Sequence, residues 1–162
     1  MTVQPRTVAE PSVDAITDAL VTASRLLLDI TARAVAVVDD TLTVPQLRVL
    51  AILAAHGATN LTTLAAQLDV QPSTIGRMSE RLVTAGLIER HQNPASRREI
   101  AVDLTRRGRA IVDTVSARRR AEIARIVEVM APRERMGMVR ALHAFSEAGG
   151  EPPAEVPPGL DF

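Results

Sequence analysis

Leu61-Thr62-Thr63-Leu64-Ala65-Ala66-Gln67-Leu68 reads as a short helix from its apolar spacing, and the residues after it decide the fold. Asp69-Val70 make a brief turn into Gln71-Pro72-Ser73-Thr74-Ile75-Gly76-Arg77, which opens a second helix ending at Gly86. Leu87-Ile88-Glu89-Arg90 and Glu99-Ile100-Ala101-Val102-Asp103-Leu104 then read as two strands joined by an arginine-bearing tip. Helix, tight turn, helix and β-ribbon in this order describe a winged helix-turn-helix. A helix fits the major groove of duplex DNA, and a thin ribbon reaches the backbone or minor groove beside it.

Outward from this stretch the chain is helical. From Val13 to Val38 an apolar stripe recurs as Ile16, Leu20, Ala23, Leu27, Ile30, Ala34 and Val37, which predicts an amphipathic helix of about seven turns. Such a helix at a chain end has little local core to cover it, so a partner subunit is the expected cover. Thr43 followed by Pro45 signals the start of a second helix, with Leu47, Leu50, Ala51 and Leu53 on its inner side. Asn60 can cap the third, and Pro72 fixes the first turn of the fourth, whose inner face is Ile75, Met78, Leu82 and Ala85.

Beyond the ribbon, where Ile100, Val102 and Leu104 alternate with Glu99, Ala101 and Asp103, Thr105 caps a long helix from Arg106 to about Met130. A last helix is expected from Pro132 through Phe145. The resulting expectation is a mainly α chain with a small β-wing. Residues 1–10 read as a flexible leader, 11–40 as an N-terminal dimerisation helix, and 41–105 as the winged DNA-binding region. Residues 106–147 read as C-terminal dimerisation helices and 148–162 as a loose tail.

Composition removes several function classes. The chain has 162 residues, 46% of them apolar, so it can bury a core. Aromatics are 1%, namely Phe145 and Phe162, too few for a base-stacking platform of the kind that binds single strands. With no cysteine there is no disulfide, thiolate metal site or thiol sensor. No stretch approaches the roughly 18 apolar residues of a membrane span, and a cytoplasmic location with no membrane partner is expected.

Net charge is zero, with 19 basic residues against 19 acidic, yet the charge is unevenly spread. Residues 1–40 hold three arginines against six acids, whereas residues 71–110 hold eight arginines against four acids. Every basic residue is arginine, a bias that a GC-rich coding sequence explains better than selection for guanidinium recognition does.

Positive charge thus gathers on the elements expected to meet DNA. Gln71, Pro72, Ser73, Thr74 and Arg77 stand at the start of the fourth helix, where free N–H groups attract phosphate, short polar side chains reach base edges and arginine bonds guanine bidentately. The plainer reading of Gln71, Ser73 and Thr74 is helix capping. Arg97 and Arg98 close the wing tip and suit a narrow, electronegative minor groove, although two adjacent charges are ordinarily a solvated turn. Arg90, Arg106 and Arg107 are weaker phosphate candidates, and Arg118-Arg119-Arg120 reads as a solvated helix face.

His56, His91 and His143 fall in separate elements without ligand spacing, so no metal is expected. Asp39-Asp40 are neighbours and not a convergent acid/base pair, and the lack of lysine removes Schiff-base and Walker-type chemistry. No cofactor and no catalysis are expected. A winged-helix module that binds protein without duplex DNA is the alternative, and the charge surplus of residues 71–110 argues against it.

The pattern resembles the MarR family of dimeric transcriptional regulators over about residues 12–146. Its most specific piece is the wing, Ser96-Arg97-Arg98-Glu99-Ile100-Ala101-Val102-Asp103-Leu104-Thr105, followed by Gly108. Supporting pieces are Leu42-Thr43-Val44-Pro45-Gln46-Leu47-Arg48-Val49-Leu50, Leu64-Ala65, and Leu82-Val83-Thr84-Ala85-Gly86-Leu87-Ile88-Glu89-Arg90. Two positions depart from the family: Ser96 replaces an acid that usually pairs with the arginine matching Arg98, and Ala131 replaces a polar helix cap. The resemblance implies a homodimer whose first, fifth and sixth helices interleave, with recognition helices about 34–36 Å apart on a pseudo-palindromic duplex. It also implies a repressor released by a small phenolic or lipophilic effector, lodged in a cleft lined by aliphatics of the first, second and fifth helices.

Overall fold

The computed structural model describes residues 11–93 and 96–150, leaving aside the side chains of 93–99. The elements are α1 (Val13–Val38), α2 (Val44–His56), β1 (Thr59–Asn60), α3 (Leu61–Leu68), α4 (Pro72–Thr84), β2 (Ile88–Asn93), β3 (Ser96–Leu104), α5 (Arg106–Val129), α6 (Pro132–Arg135) and α7 (Met138–Ala148). The chain divides into two compact units, Met1–Arg120 and Ala121–Phe162. The leader at 1–10 and most of the expected tail lie outside the described residues.

Capping chemistry sets most helix starts in the first unit. The Ser12 hydroxyl accepts from the Ala15 amide at 3.2 Å to open α1. At α2 the Thr43 hydroxyl accepts from the Gln46 amide, and the Gln46 carboxamide oxygen accepts from the Thr43 amide at 2.8 Å, a reciprocal box that satisfies two otherwise orphaned donors. Asn60 caps α3 as expected, its Oδ1 accepting from the Thr63 amide at 2.7 Å.

The core is aliphatic, built from Val49, Leu50 and Leu53 of α2, Leu64 of α3, Ile75 and Leu82 of α4, the sheet residues Ile88 and Val102, and Ile111, Val112 and Val115 of α5. Helix faces are rotated slightly from the sequence expectation. In α2 the exposed Ala51 is replaced by fully buried Val49, and in α4 Met78 and Ala85 are only half-buried while Ser79 is buried. At the end of α1, Val35 is buried and Val37 is 63% exposed, because the last turns meet α2 through Ala34, Val35 and the half-buried Val38. The earlier turns leave Val13, Ile16, Val21, Leu26, Leu27 and Leu28 exposed.

The wing departs from expectation in three ways. The sheet has three strands in the order β1-β3-β2, since Thr59 and Asn60 pair with Val102 and Ala101. The strands also run further, to Asn93 and from Ser96, because a backbone ladder forms through polar residues as readily as apolar ones. Gln92 faces Ile100, then the register slips and Asn93 pairs with Ser96, so 97–99 fall in the slipped stretch of β3 instead of a loop tip. Finally, Ile100 is 51% exposed and Ala101 is buried. Ala101 lies on the central strand between Asn60 and His91, whereas Ile100 lies just past the end of the two-residue β1.

In the second unit, the single helix expected from Pro132 to Phe145 is broken. Met136 is extended (ψ 126°) and Gly137 adopts φ 78°, a left-handed conformation that favours glycine, which separates α6 from α7. Ala131 offers no capping oxygen, but Glu134 accepts from its amide at 3.1 Å. Neither α6 nor α7 has a buried residue, and Met136, Val139, Leu142 and Phe145 are exposed.

The tightest approach in the fold is made by α5. A Cβ on Gly108 would overlap the Leu87 carbonyl oxygen and press on the Leu104 side chain at 3.1 Å. Gly108→Ala is therefore expected to lose about 3 kcal/mol or more in urea denaturation, at the upper end of overpacking costs, because the obstacle is backbone and cannot rotate away. A variant that unfolds at the wild-type midpoint would refute this crossing.

Candidate nucleic-acid interface

Helix α4 presents the expected contact residues at its beginning. The turn before it is short because Asp69 adopts φ 52° after α3, a conformation an aspartate tolerates better than most side chains, with the Val70 amide donating to the Ala65 carbonyl at 3.0 Å. Gln71 is the N-cap residue, yet it makes no side-chain cap hydrogen bond. Gln71, Pro72, Ser73 and Arg77 are exposed and Thr74 is half-buried. Among the described residues, no intramolecular hydrogen bond or ion pair engages the side chains of Gln71, Ser73, Thr74 or Arg77. Capping, the plainer reading of these residues, is not what the structure shows. Their polar atoms have no partner among the described residues.

The other end of α4 is tied down. The Arg107 guanidinium donates to the Ala85 carbonyl at 3.0 Å, and the Thr105 hydroxyl donates to the Gly86 carbonyl at 2.7 Å. The same hydroxyl accepts from the Gly108 amide at 3.0 Å, while the Thr105 amide donates to the Leu87 carbonyl at 3.1 Å. Thr105 was expected only to cap α5; it also caps the C-terminal end of α4. Arg107, expected as a phosphate ligand, is occupied by a carbonyl. Sequence spacing could not reveal this, because the bond joins residues 22 apart.

Arg107 reaches a second element. Asp39, at the end of α1, is held below its ordinary carboxyl pKa, first by the Thr41 hydroxyl at 2.6 Å, then by the Thr41 amide at 3.0 Å, with the Arg107 charge adding to both against opposing desolvation. The corner between α1 and α2 thus shares an arginine with the α4 terminus.

The remaining arginines divide. Arg97 and Arg98 lie on β3, but their side chains fall outside the described residues. Arg90 and Arg106 are exposed. Arg119 is half-buried with its Nε enclosed and unpartnered, so the expected solvated face holds for Arg118 and Arg120 and not for Arg119. His91 lies 3.3 Å from Glu89 on the outer face of β2, and among the described residues no three acidic or histidine side chains converge as metal ligands. A cleft of about 230 Å³ lies between Thr41, Thr43 and Gln46 and the end of α4 at Arg81 and Ala85. Its size falls below the roughly 300–1,000 Å³ of ligand pockets, and its polar rim differs from the aliphatic effector cleft expected.

Comparison with known proteins gives this arrangement its kin. The MarR family model matches residues 42–100, from the start of α2 into the wing. The HTH-type transcriptional repressor MdtR of Bacillus subtilis (strain 168) is 36% identical over 98 residues, which are 60% of this chain and 61% of that repressor. The chain thus spans about three fifths of that relative's length. The crystal structure of RV1404 from Mycobacterium tuberculosis is similar at 61% identity with a TM-score of 0.82, over 91% of this chain and 100% of that one. Streptococcus pneumoniae FabT, solved in complex with DNA, shares the fold at 18% identity with a TM-score of 0.73, over 86% of this chain and 98% of that one.

Two substitutions test the tethers. Thr105→Val keeps the shape but removes two hydroxyl hydrogen bonds, and should cost about 1–2 kcal/mol in chemical denaturation. A cost near zero would show that the hydroxyl does not hold α4 to α5. Thr41→Val should raise the Asp39 carboxyl toward its ordinary 3.8 in an NMR titration. Since the folded value is the depressed one, Asp39 stabilises at neutral pH, and this contribution vanishes as pH falls through that value. Thr41→Val should therefore be less stable than wild type at neutral pH, with this part of the difference gone in strong acid.

Proposed function

The chain belongs to the MarR family, and from that premise we propose that it is a homodimeric, sequence-specific regulator of transcription that binds duplex DNA. The observation that carries the proposal is the beginning of α4, where Gln71, Ser73, Thr74 and Arg77 have no side-chain partner among the described residues while the far end of the same helix is fastened by Thr105 and Arg107. A helix held at one end and bare at the other is suited to entering a groove. Pro72 sets its first turn without an N–H that would need a partner. Arg77 takes the role of base reader, and Arg97 and Arg98 on the β2–β3 ribbon supply phosphate or minor-groove contacts.

Residues 41–105 form the DNA-binding part in this reading, and residues 11–40 and 106–147 form the dimer. Support for the dimer is the apolar surface of α1 and, separately, that of α7, each exposed in the single chain. Two copies would present their α4 helices to adjacent turns of a pseudo-palindromic operator. Repression fits the name carried by MdtR. Release by a small lipophilic or phenolic effector rests on the family resemblance. Such a ligand would act by favouring a spacing of the two lobes that does not match successive grooves. A regulator of this kind works where the chromosome is, in the cytoplasm.

Selection of duplexes from a randomised pool by the full chain tests the reading. An enriched palindrome is expected, bound with an affinity that falls steeply with salt. Arg77→Ala should relax one base position in each half-site at a cost of about 1–3 kcal/mol. Arg97→Ala with Arg98→Ala should weaken all duplexes and flatten the slope of log affinity against log salt by about 0.9 for each phosphate no longer engaged. No enrichment, together with a monomer in sedimentation, would remove the proposal.

A further inference from the structure

Gly76 sits in the interior of α4, where glycine costs stability relative to alanine because it gives up more chain freedom on folding. The comparable glycine of α5, Gly108, is required by the Leu87 backbone, but nothing among the described residues requires Gly76. Its φ is not positive, and a Cβ built on it meets no atom within 4 Å. Neither backbone geometry nor packing within the described residues accounts for the missing side chain.

The position of Gly76 suggests what does. At about 100° per residue, Ile75, Ser79 and Leu82 form the buried face of α4, and Arg77 with Thr84 lies opposite. Gly76 falls between these two faces, on the flank it shares with Ser73 and Glu80, and is half-buried. An α-helix with its side chains is about 10–12 Å across, and the major groove is about 12 Å wide. A helix entering that groove meets base edges with its outer face and the sugar–phosphate walls with its flanks. There is almost no clearance. We infer that Gly76 is a positioning residue whose missing side chain lets one flank of α4 approach the sugar–phosphate wall of the major groove.

The inference rests on the DNA-binding reading and adds to it a residue and a backbone contact. A wall contact carries no sequence information, so enlarging Gly76 should weaken binding without changing the bases preferred. It should also raise stability, since alanine is the better helix former and the space is open within the protein. Opposite movement of stability and affinity is the signature, and a merely structural glycine would not produce it.

The test uses the full chain and the duplex enriched by wild type. Gly76→Ala is expected to raise the thermal midpoint by about 2 °C and to weaken the duplex about 10-fold, with the same consensus recovered in a repeated selection. Gly76→Leu should weaken it further while remaining folded. Ser79→Ala, on the buried face of the same helix and removing an unpartnered hydroxyl, should leave affinity unchanged. Gly76→Ala that binds as tightly as wild type overturns the inference alone. A fall in the thermal midpoint, or a changed consensus, also overturns it, by showing that the space is not open or that the contact is to bases. Wild type that binds no duplex removes the DNA reading and the inference together.

Discussion

The first turn of α5 crosses the chain at Leu87, and that crossing fixes everything that would meet a ligand. Leu87 lies one residue after the left-handed Gly86 that ends α4 and one before Ile88, where the wing begins. Thr105 lies one residue past the end of β3. The Leu87 carbonyl accepts from the Thr105 amide and lies where a Gly108 side chain would be, while the Thr105 hydroxyl and the Arg107 guanidinium take the last carbonyls of α4. Exit from α4, both roots of the wing and entry into α5 are therefore held at one point. These carbonyls would otherwise be orphaned at a helix end, and the bonds that satisfy them also set the direction of the helix. Changing the angle of α5 pulls on the end of α4 through two side chains, Thr105 and Arg107, with little slack.

The rest of the molecule is unevenly buried. The largest fully buried side chains all belong to the first unit and, apart from Ile30 of α1, cluster on α2–α5 and the sheet. Most of α1, and α7 with Met136 before it, leave apolar residues exposed to solvent. Exposed Leu26, Leu27 and Leu28 on one helix, and exposed Leu142 and Phe145 on another, are more than the scattered apolar residues any surface carries. That imbalance supports the proposed homodimer, and it arises from the same sequence feature that set the length of α1.

What could be read from the sequence was what local chemistry decides. The bounds of α1, the caps at Thr43 and Asn60, and Pro72 at the start of α4 each depend on residues a few positions apart, and all lie where the sequence places them. The position of Gln71, Ser73, Thr74 and Arg77 at the start of that helix was legible for the same reason. What escaped depends on distant partners or on backbone alone. Two residues of β1 have no period, the polar ends of the wing strands pair through amides, and Gly137 breaks an otherwise unbroken apolar spacing by a conformation that spacing does not register. Arg107 looked like any other wing-side arginine until the fold placed it 3.0 Å from a carbonyl 22 residues back.

In the proposed reading, a chain with no net charge meets a polyanion locally. Screening in physiological salt limits the reach of exposed charge to about 8 Å, so a duplex responds to the arginines it touches and hardly to the whole protein. The surplus of four in residues 71–110 lies on the recognition helix, the wing and the root of α5, and the fold draws Arg107 out of that set to fasten α4. Residues 116–140 hold a like surplus, seven arginines against three acids, so charge alone does not single out α4 and the wing. Discrimination then falls on fit: on the helix face carrying Arg77, on the flank where Gly76 leaves room, and on the spacing that the α5 crossing imposes.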